Sequence, residues 1–406
     1  MAKVQRRTMV YKTLDSTSGE HTPVLLDVHY PHNISSTTAI DHADIPLGAL
    51  VYFHGGGLTV GNRTSWFPDW LQKRTTDAGH IFISPDYRLI PSGSTTGHDI
   101  LEDVLDVFRF VANLSIDVIP EPSDREQNPA RPLQIRVDPE RIAVSGSSAG
   151  ALCAYLAAMH AFPKPRAVLS MYGLGGNFLI PHYYTPKYEV FFRGRELLDP
   201  ALFSDFLYPA CLSPDSRVIT DSPNTYFPPD APSDVIAEPG LETNTGPPGF
   251  PSNRRMFLAR LYLQLGDFLD YYTGEYEPSL SAAFRMKAEG MRNSSPSSES
   301  VRSLEDALAR MIPSKHRRLF PSLCPPDTYS SWPPVYFLHG YNDSAVLVRE
   351  SQDLHALLTE AGVRSVLSIA QGMEHSFDYE PNADAVHGEE FDKIGAWMDG
   401  ILRASS

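Results

Sequence analysis

Hydrophobic positions along the chain follow two alternating patterns. Short apolar runs between turn residues are typical of strands covered on both faces, and longer stretches with apolar residues three or four apart are typical of helices. The predicted strands are Met9–Leu14, Val24–Tyr30, Ala49–His54, Ile81–Ser84, Ile142–Ser145, Ala167–Tyr172, Val335–Leu338 and Ser365–Ala370. The predicted helices are Trp66–Ala78, Asp99–Asn113, Ala149–Phe162, Glu350–Ala361 and Asp384–Ala404. This alternation predicts an α/β fold with a mostly parallel eight-stranded sheet and helices on both faces.

The block 178–334 interrupts this alternation. It is rich in Pro, Tyr and Phe, and its clearest periodic segment, Leu258–Tyr272, predicts one amphipathic helix whose aromatic residues pack in a core. The strand pattern resumes at Val335. We therefore predict a core domain of residues 1–177 and 335–406, with the block inserted as a cap or lid.

Charge and cysteine content narrow the class of protein. The 406 residues carry a net charge of -15, which argues against nucleic acid and anionic membrane surfaces as partners. The three cysteines, Cys153, Cys211 and Cys324, are an odd number without metal-ligand spacing, and this favours a reducing compartment. No apolar stretch follows the basic N-terminus as in a signal peptide, and no uncharged apolar run approaches about 18 residues. We expect a cytoplasmic protein without a stable membrane anchor.

The strongest local signal is the stretch "IAVSGSSAGALCAYLAA", which begins at Ile142. A strand pattern runs into G-x-S-x-G with Ser148 at its centre, and a helix pattern leaves it, as in the strand-turn-helix of a nucleophile elbow. We interpret Ser148 as a nucleophile whose position beside a helix N-terminus favours developing negative charge. The alternatives are a Gly/Ser-rich turn without chemistry, or Ser147 as the reactive serine.

A serine nucleophile needs a base, and the base needs a carboxylate that orients it. The predicted strand Val335–Leu338 is followed by a loop with Asp343, and the last predicted strand is followed by a loop with His375. This chain order of serine, acid and histidine predicts a triad of Ser148, Asp343 and His375. Other carboxylates in reach of such a histidine are Asp378 and Glu374.

Three glycines follow the predicted strand that ends at His54. Attack on a carbonyl creates an oxyanion, which preorganised N–H donors must stabilise. Gly55 and Gly56 offer N–H groups that no side chain blocks, and Ala149 offers the one directly after the nucleophile. We predict an oxyanion hole from these three residues. A flexible turn or a phosphate loop is the alternative, although the Lys of a P-loop is absent here.

These motifs resemble the hormone-sensitive-lipase-like family of α/β-hydrolase esterases. The matching segments, in order, are HGGG at 54–57, DYRL at 86–89, GSSAG at 146–150, HGYND ending at Asp343, and HSF at 375–377. The resemblance implies an α/β-hydrolase fold with a cap, hydrolysis of a carboxylic ester, and neither cofactor nor metal. In DYRL we interpret Asp86 and Arg88 first as a structural ion pair.

Substrate preference would come from the insertion and from residues next to the motifs. We expect Gly57, Ser147, Tyr183 and Tyr184 to contact a small-molecule ester that is moderately apolar and uncharged, with a role in fungal specialised metabolism. The same triad also suits an acyltransferase, a thioesterase or a C–C hydrolase. The alternative from another class is a hydrolase-like receptor that binds a small molecule without turnover.

Overall fold

One sheet organises the part of the chain that the structure describes. The computed structural model describes residues 4–15, 21–31, 44–118, 133–213, 217–228, 250–292 and 299–404. The strands in these ranges are β1 (Val4–Asp15), β2 (His21–Pro31), β3 (Asp44–Phe53), β4 (Ile81–Pro85), β5 (Ser115–Val118), β6 (Leu133–Ser147), β7 (Val168–Met171), β8 (Val335–Gly340) and β9 (Ser365–Ala370).

The strand order is β1-β2-β4-β3-β6-β7-β8-β9, with β5 paired to β6 outside this path. From β4 to β9 the neighbours on the path are parallel, and β1 and β2 extend the sheet with antiparallel pairs. The eight strands of the path are those that the hydrophobic pattern predicts, so the mostly parallel sheet is confirmed. The pattern did not predict β5, because its four residues bury only Ile116.

Helices connect the parallel strands. The α-helices in the described ranges are α1 (Asp69–Asp77), α2 (Gly97–Val111), α3 (Ala149–His160), α4 (Pro181–Tyr184), α5 (Leu258–Leu265), α6 (Phe268–Thr273), α7 (Leu280–Arg292), α8 (Glu299–Met311), α9 (Pro326–Tyr329), α10 (Val348–Glu360) and α11 (Ala383–Arg403). Short 3₁₀ helices are Pro200–Phe206, Ala210–Leu212, Arg254–Phe257, Ser314–Leu319, Pro321–Leu323 and Phe377–Tyr379.

The side chains of β3 show how the helices cover both faces of the sheet. Leu50 and Tyr52 point into an apolar cluster with residues of α1 and α11, whereas Val51 and Phe53 point into a larger cluster with residues of α2 and α3. Successive residues of a strand face opposite sides of the sheet. The sheet is therefore covered on both faces, as its continuous apolar runs predict.

The predicted continuous helix Leu258–Tyr272 is wrong. The chain forms α5 and α6 instead, because Gly266 ends α5 in the left-handed conformation, with φ of 70°. A side chain at this position would also collide with Thr185 and Pro186, since a Cβ built on Gly266 would lie 2.7 Å from the Pro186 nitrogen. The contact with Thr185 and Pro186 therefore requires a glycine at position 266, where the helix ends. Helical periodicity alone does not reveal this contact.

The insertion between β7 and β8 shares the apolar core of the sheet. The Phe178 ring is fully buried and lies 4.9 Å from the Tyr183 ring, 5.2 Å from the Tyr272 ring and 5.6 Å from the Phe320 ring, centroid to centroid. The buried residues of α5 and α6 belong to the same cluster as those of α2 and α3. The aromatic residues of the predicted helix thus pack in a core, as expected from their spacing.

The structure does not pair Asp86 with Arg88. Asp86 accepts hydrogen bonds from the backbone and the guanidinium of Arg63, at 2.6 and 2.8 Å. Arg88 donates to Asp103 of α2, with its Nε 2.9 and 3.0 Å from the two carboxylate oxygens. The predicted pair is wrong because each charge meets an opposite charge on a different element, which sequence proximity does not indicate.

We predict that Phe178→Ala lowers the free energy of unfolding by about 3–5 kcal/mol, since it removes a buried ring on which four other rings pack. Urea unfolding followed by fluorescence measures this change. The matched control is Phe162→Ala, whose ring is 85% exposed and whose loss should change stability by less than about 0.5 kcal/mol. Equal effects of the two substitutions would contradict the packing of the insertion described above.

Candidate active site

Ser148 occupies the tight turn between β6 and α3. Its backbone has φ of 53° and ψ of -122°, a conformation that residues other than glycine rarely adopt. The turn is held because the Ser148 N–H donates to the Met171 carbonyl and the Ser148 carbonyl accepts from the Leu174 N–H, each at 2.9 Å. The side chain consequently projects at the carboxyl edge of the parallel strands.

The glycines on either side of Ser148 are required by contact distances. A Cβ built on Gly146 would lie 2.1 Å from the Gly150 carbonyl oxygen, and a Cβ built on Gly150 would lie 2.0 Å from the Phe53 carbonyl oxygen. Neither position has space for a side chain. The G-x-S-x-G spacing therefore reflects two backbone approaches that only glycine permits.

His375 and Asp343 form a hydrogen-bonded chain with Ser148. The Nε2 atom of His375 lies 3.0 Å from the Ser148 Oγ, and its Nδ1 atom lies 2.7 Å from the Asp343 Oδ2. A carboxylate accepts hydrogen bonds, so Nδ1 carries the proton and Nε2 is left to accept from the serine hydroxyl. The structure thus brings the three predicted residues together, with loops after β8 and β9 supplying the acid and the histidine.

Asp343 is held rigidly in its ionised form. Its Oδ1 accepts the backbone N–H groups of Ala345 and Val346, both at 2.9 Å, and its Oδ2 lies 3.2 Å from the Nε2 of His339. Burial opposes the charge, but interaction with His375 and the hydrogen bonds from both histidines hold the pKa of Asp343 well below its usual range. The carboxylate therefore stays charged wherever the protein is folded at ordinary pH.

The two alternative carboxylates have other partners. Asp378 accepts hydrogen bonds from the Trp70 indole at 3.0 Å and from the Tyr172 hydroxyl at 2.7 Å. Glu374 accepts the backbone N–H of His375 at 2.6 Å and that of Ser344 at 2.9 Å. The side-chain partners of Asp378 are therefore Trp70 and Tyr172, and Glu374 accepts backbone N–H groups of the loops that contain Ser344 and His375. Asp343 is the carboxylate that contacts the His375 imidazole.

The glycine loop after β3 lies against Ser148. A Cβ built on Gly55 would lie 3.3 Å from the Ser148 Cβ, and Gly56 has φ of 106°, which is open to glycine alone. Among the described residues, none accepts a hydrogen bond from the backbone N–H of Gly55, Gly56 or Ala149. Three backbone N–H groups for which the described residues provide no acceptor therefore lie in this region next to Ser148.

A pocket opens at Ser148. Its walls come from the predicted core domain, residues 1–177 and 335–406, and from the insertion. Its lining residues from the core are Gly55, Gly56, Gly57, Val60, Trp66, Ser147, Ser148, Tyr172, Leu174, Ala345, Val346, His375, Ser376 and Tyr379. Those from the insertion are Phe192, Arg193, Arg195, Tyr226, Pro251, Met256, Ala259, Arg260, Leu263 and Phe268. Of the predicted substrate contacts, Gly57 and Ser147 line this pocket.

Tyr183 and Tyr184 do not line the pocket, and their predicted role as substrate contacts is wrong. Both are buried in the apolar core. The Tyr183 hydroxyl donates to Glu350, and the Tyr184 ring packs 5.7 Å from the Phe284 ring. An aromatic residue near the start of an insertion is as useful for packing as for binding, and here the space beside α6 and α7 is what these rings fill.

Sequence reasoning missed the three arginines of the pocket wall, Arg193, Arg195 and Arg260. Each lies in the part of the chain that lacks a recognisable motif, and isolated arginines carry no local signal. It also missed the support of Ser147, whose Oγ lies 2.7 Å from the Tyr52 hydroxyl. Within the described ranges, no three His, Cys, Asp or Glu side chains are grouped as metal ligands would be.

Glu350 contacts the loop that is hydrogen-bonded to the Ser148 turn. It is fully buried, and it accepts the Gly175 N–H at 2.7 Å and the Tyr183 hydroxyl. The loop that it supports contains Leu174, which lines the pocket and donates to the Ser148 carbonyl. Burial raises the pKa of Glu350 to about 8.

The strand order and the turn at Ser148 are those of an α/β-hydrolase fold, and comparison with known proteins agrees. Residues 50–192 match a family model described as an alpha/beta hydrolase fold. The probable carboxylesterase M8 of Phoma sp. is 31% identical over 143 residues, which are 34% of this chain and 41% of that protein. The non-reducing polyketide synthase mapC' of Penicillium brevicompactum is 23% identical over 363 residues, which are 88% of this chain and 14% of the synthase. The chain thus spans less than half of either curated relative.

A solved structure has the same fold. The thermophilic carboxylesterase EstE1, cloned from a metagenomic library, superposes with a TM-score of 0.51 at 16% identity, over 100% of this chain and 92% of EstE1. The chain has the α/β-hydrolase fold, and its resemblance to the hormone-sensitive-lipase-like esterases is confirmed. None of the helices in the described ranges has the length and apolar character of a membrane span.

We predict that the raised pKa of Glu350 makes the free energy of unfolding depend on pH. Between the usual glutamate pKa of 4.5 and the folded value of about 8, the folded state holds one more proton than the unfolded chain. The free energy of unfolding therefore falls as pH rises through this window, by about 1.4 kcal/mol per pH unit from this group. Below the window the contribution is constant.

Urea unfolding of wild type and Glu350→Gln at about pH 5, 6.5 and 8 measures this effect, because the other titrations cancel in the difference. The stability of the wild type relative to the variant should decline as pH rises. The matched control is Glu360→Gln, at the exposed end of the same helix α10. Parallel profiles for wild type and Glu350→Gln would contradict the raised pKa.

Proposed function

We propose that the protein is a serine hydrolase that cleaves a carboxylic ester of a small molecule through Ser148, His375 and Asp343. The observation that carries the proposal is the continuous hydrogen-bonded chain from Oγ to imidazole to carboxylate, set in a pocket beside unpartnered backbone N–H groups. A serine, a base within hydrogen-bond reach and a group that orients the base are the parts that covalent acyl transfer needs.

The proposed reaction begins as His375 Nε2 takes the proton of the Ser148 hydroxyl and Oγ attacks the ester carbonyl carbon. The tetrahedral intermediate collapses when the ester C–O bond breaks, and the imidazolium returns its proton to the departing alcohol. Water then enters, gives a proton to His375 and attacks the acyl-serine. The carboxylic acid leaves, and Ser148 regains its proton.

Asp343 has two proposed roles in these steps. Its hydrogen bond to Nδ1 fixes the tautomer in which Nε2 is the acceptor, and its negative charge stabilises the imidazolium that forms. The low pKa of Asp343 suits both roles, because a carboxylate that remains ionised does not compete for the proton. The Gly55, Gly56 and Ala149 N–H groups would receive the oxyanion, and one such donor typically contributes about 2.7–4 kcal/mol.

The relatives support this proposal without fixing the substrate. The Phoma protein is named a probable carboxylesterase. The segment that matches the family model, residues 50–192, includes the glycine loop and the Ser148 turn. Both curated relatives described above come from fungi. We infer an esterase of fungal specialised metabolism, acting on a substrate whose reacting end meets the apolar side chains beside Ser148.

We predict that Ser148→Ala abolishes labelling by a fluorophosphonate probe and lowers kcat/KM for p-nitrophenyl esters by about 10⁴-fold or more. The matched control is Ser147→Ala, because Ser147 is adjacent and its Oγ is hydrogen-bonded to the Tyr52 hydroxyl. That variant should still be labelled and should keep kcat/KM within about tenfold of wild type. Labelling that survives in Ser148→Ala and is lost in Ser147→Ala would reverse the assignment of the nucleophile.

The synthase match favours a second candidate, a thioester as the acyl donor at the same serine. The alignment covers 88% of this chain, so a region of the synthase corresponds to nearly all of it, insertion included. Acyl groups on carriers such as CoA are held as thioesters. The chemistry at Ser148 would be unchanged, with a thiolate in place of the alkoxide as the leaving group.

Ethyl butanoate and S-ethyl thiobutanoate distinguish the two candidates, since they differ only in the leaving atom. We expect the ratio of their kcat/KM values, divided by the ratio of their hydroxide-catalysed rates, to favour the oxygen ester. A normalised preference of more than about tenfold for the thioester would make the second candidate the better description.

A further inference from the structure

Arg260 lines the pocket of Ser148 without an opposite charge. It is 8% exposed, and no described residue accepts a hydrogen bond from its guanidinium or forms an ion pair with it. Its aromatic neighbour is Phe257, whose ring centroid lies 5.7 Å from the Arg260 Cζ. Buried arginines are ordinarily paired, because leaving a charge without a partner in a water-poor site is costly.

The neighbouring arginines show that this arrangement is particular to Arg260. Arg255 is as buried, at 6% exposed, and donates to the carbonyl oxygens of Thr59, Ile90 and Pro91 at 2.7, 3.0 and 2.9 Å. Arg254 is exposed and forms a two-point ion pair with an aspartate, Asp205, at 3.0 Å. Arg254 and Arg255 thus have acceptors within the protein, whereas no described residue accepts a hydrogen bond from the guanidinium of Arg260, which lines the pocket.

Helix α5 fixes Arg260 in the pocket wall. Ala259, Arg260 and Leu263 of α5 line the pocket together with Met256 of the preceding 3₁₀ helix. The spacing of three and four from Leu263 to Arg260 and Ala259 puts these α5 residues on one helical face. This face is anchored to the glycine loop, since a Cβ built on Gly57 would lie 2.1 Å from the Ala259 Cβ. The guanidinium is therefore carried by an element in direct contact with the loop beside Ser148.

A second arginine reinforces the positive charge. Arg195 lines the same pocket and an adjoining cavity in which Arg260 also takes part, and its side chain is exposed. Burial and this neighbouring charge lower the pKa of Arg260 to about 10, which still leaves it charged at neutral pH. Arg193 differs, because its Nε lies 4.0 Å from the Glu374 carboxylate. Two cations of the wall thus have no carboxylate partner among the described residues.

We infer that the substrate of the Ser148 site carries an anionic group, a carboxylate or a phosphate, which pairs with Arg260 inside the pocket and with Arg195 at its mouth. The planar guanidinium matches both anions through two parallel hydrogen bonds. This inference rests on the proposed function for the position of the reacting ester. It replaces the expectation of an uncharged substrate with that of an ester that is apolar beside Ser148 and charged at a distance from it.

Binding tests the inference without requiring turnover. Ser148→Ala is titrated by calorimetry with the p-nitrophenyl monoester of adipic acid and with the methyl, p-nitrophenyl diester, which differ by one negative charge. We expect the carboxylate form to bind at least about tenfold more tightly. Adding Arg260→Met, which keeps the apolar stem, should bring the ratio close to one, and Arg260→Lys should leave it in between. Arg254→Met is the matched control and should leave the ratio unchanged.

A second pair of ligands covers the other anion. S-butanoyl pantetheine with and without its terminal phosphate is titrated into the same variants, so that a phosphate-dependent preference is seen even if the carboxylate has no effect. A preference in either pair that disappears in Arg260→Met supports the inference. The absence of any preference in both pairs, or a preference that survives Arg260→Met, overturns it.

The activity of the wild type separates this inference from the proposed function. Turnover of the neutral diester without a preference for either anion would leave the hydrolase proposal intact and overturn the anion site. Anion-dependent binding with neither turnover nor fluorophosphonate labelling would support the anion site and overturn the hydrolase. In a working enzyme, kcat/KM should favour the carboxylate ester by the same factor as binding does.

Discussion

The close contact between two backbone segments determines the geometry of the site. Gly150, at the start of α3, lies so near the end of β3 that a Cβ there would be 2.0 Å from the Phe53 carbonyl oxygen. This contact places the turn of Ser148 directly beside the glycine loop, so the Ser148 side chain lies next to the N–H groups of Gly55 and Gly56, for which the described residues provide no acceptor. Serine itself rarely adopts a positive φ. The packing of the turn against β3 therefore stabilises this conformation of Ser148.

Two buried carboxyl groups near Ser148 have pKa values shifted in opposite directions. Asp343 accepts two backbone N–H groups and faces two histidines, and its charge is stabilised. Glu350 is fully buried, and burial raises its pKa although the Tyr183 hydroxyl and the backbone of Gly175 and Asn177 interact with its carboxyl group. Both carboxyl groups have hydrogen-bond donors, so the contacts with His375 and His339 distinguish Asp343, whose pKa is lowered, from Glu350, whose pKa is raised.

Local sequence signals were sufficient for the sheet and for the residues around Ser148. Strand and helix periodicity gave the eight strands of the main path, and the glycine spacing at Ser148 corresponds to contacts that exclude side chains. The break at Gly266, the partners of Asp86 and Arg88, and the burial of Tyr183 were not predictable in this way. Each depends on a segment distant in sequence, and no pattern within a window of a few residues records such a contact.

The division of the pocket wall explains why the chemistry was easier to predict than the substrate. The core provides Ser148, His375 and the glycine loop, all within or next to short motifs constrained by backbone geometry. The insertion provides Arg195, Arg260 and Leu263, whose positions depend on how α5 docks on that loop through Ala259. Arg260 and Leu263 lie on the same face of α5 as Ala259, so the contact between Ala259 and Gly57 also positions them in the pocket wall. These side chains therefore depend on a contact between segments distant in sequence, and no short motif records such a contact.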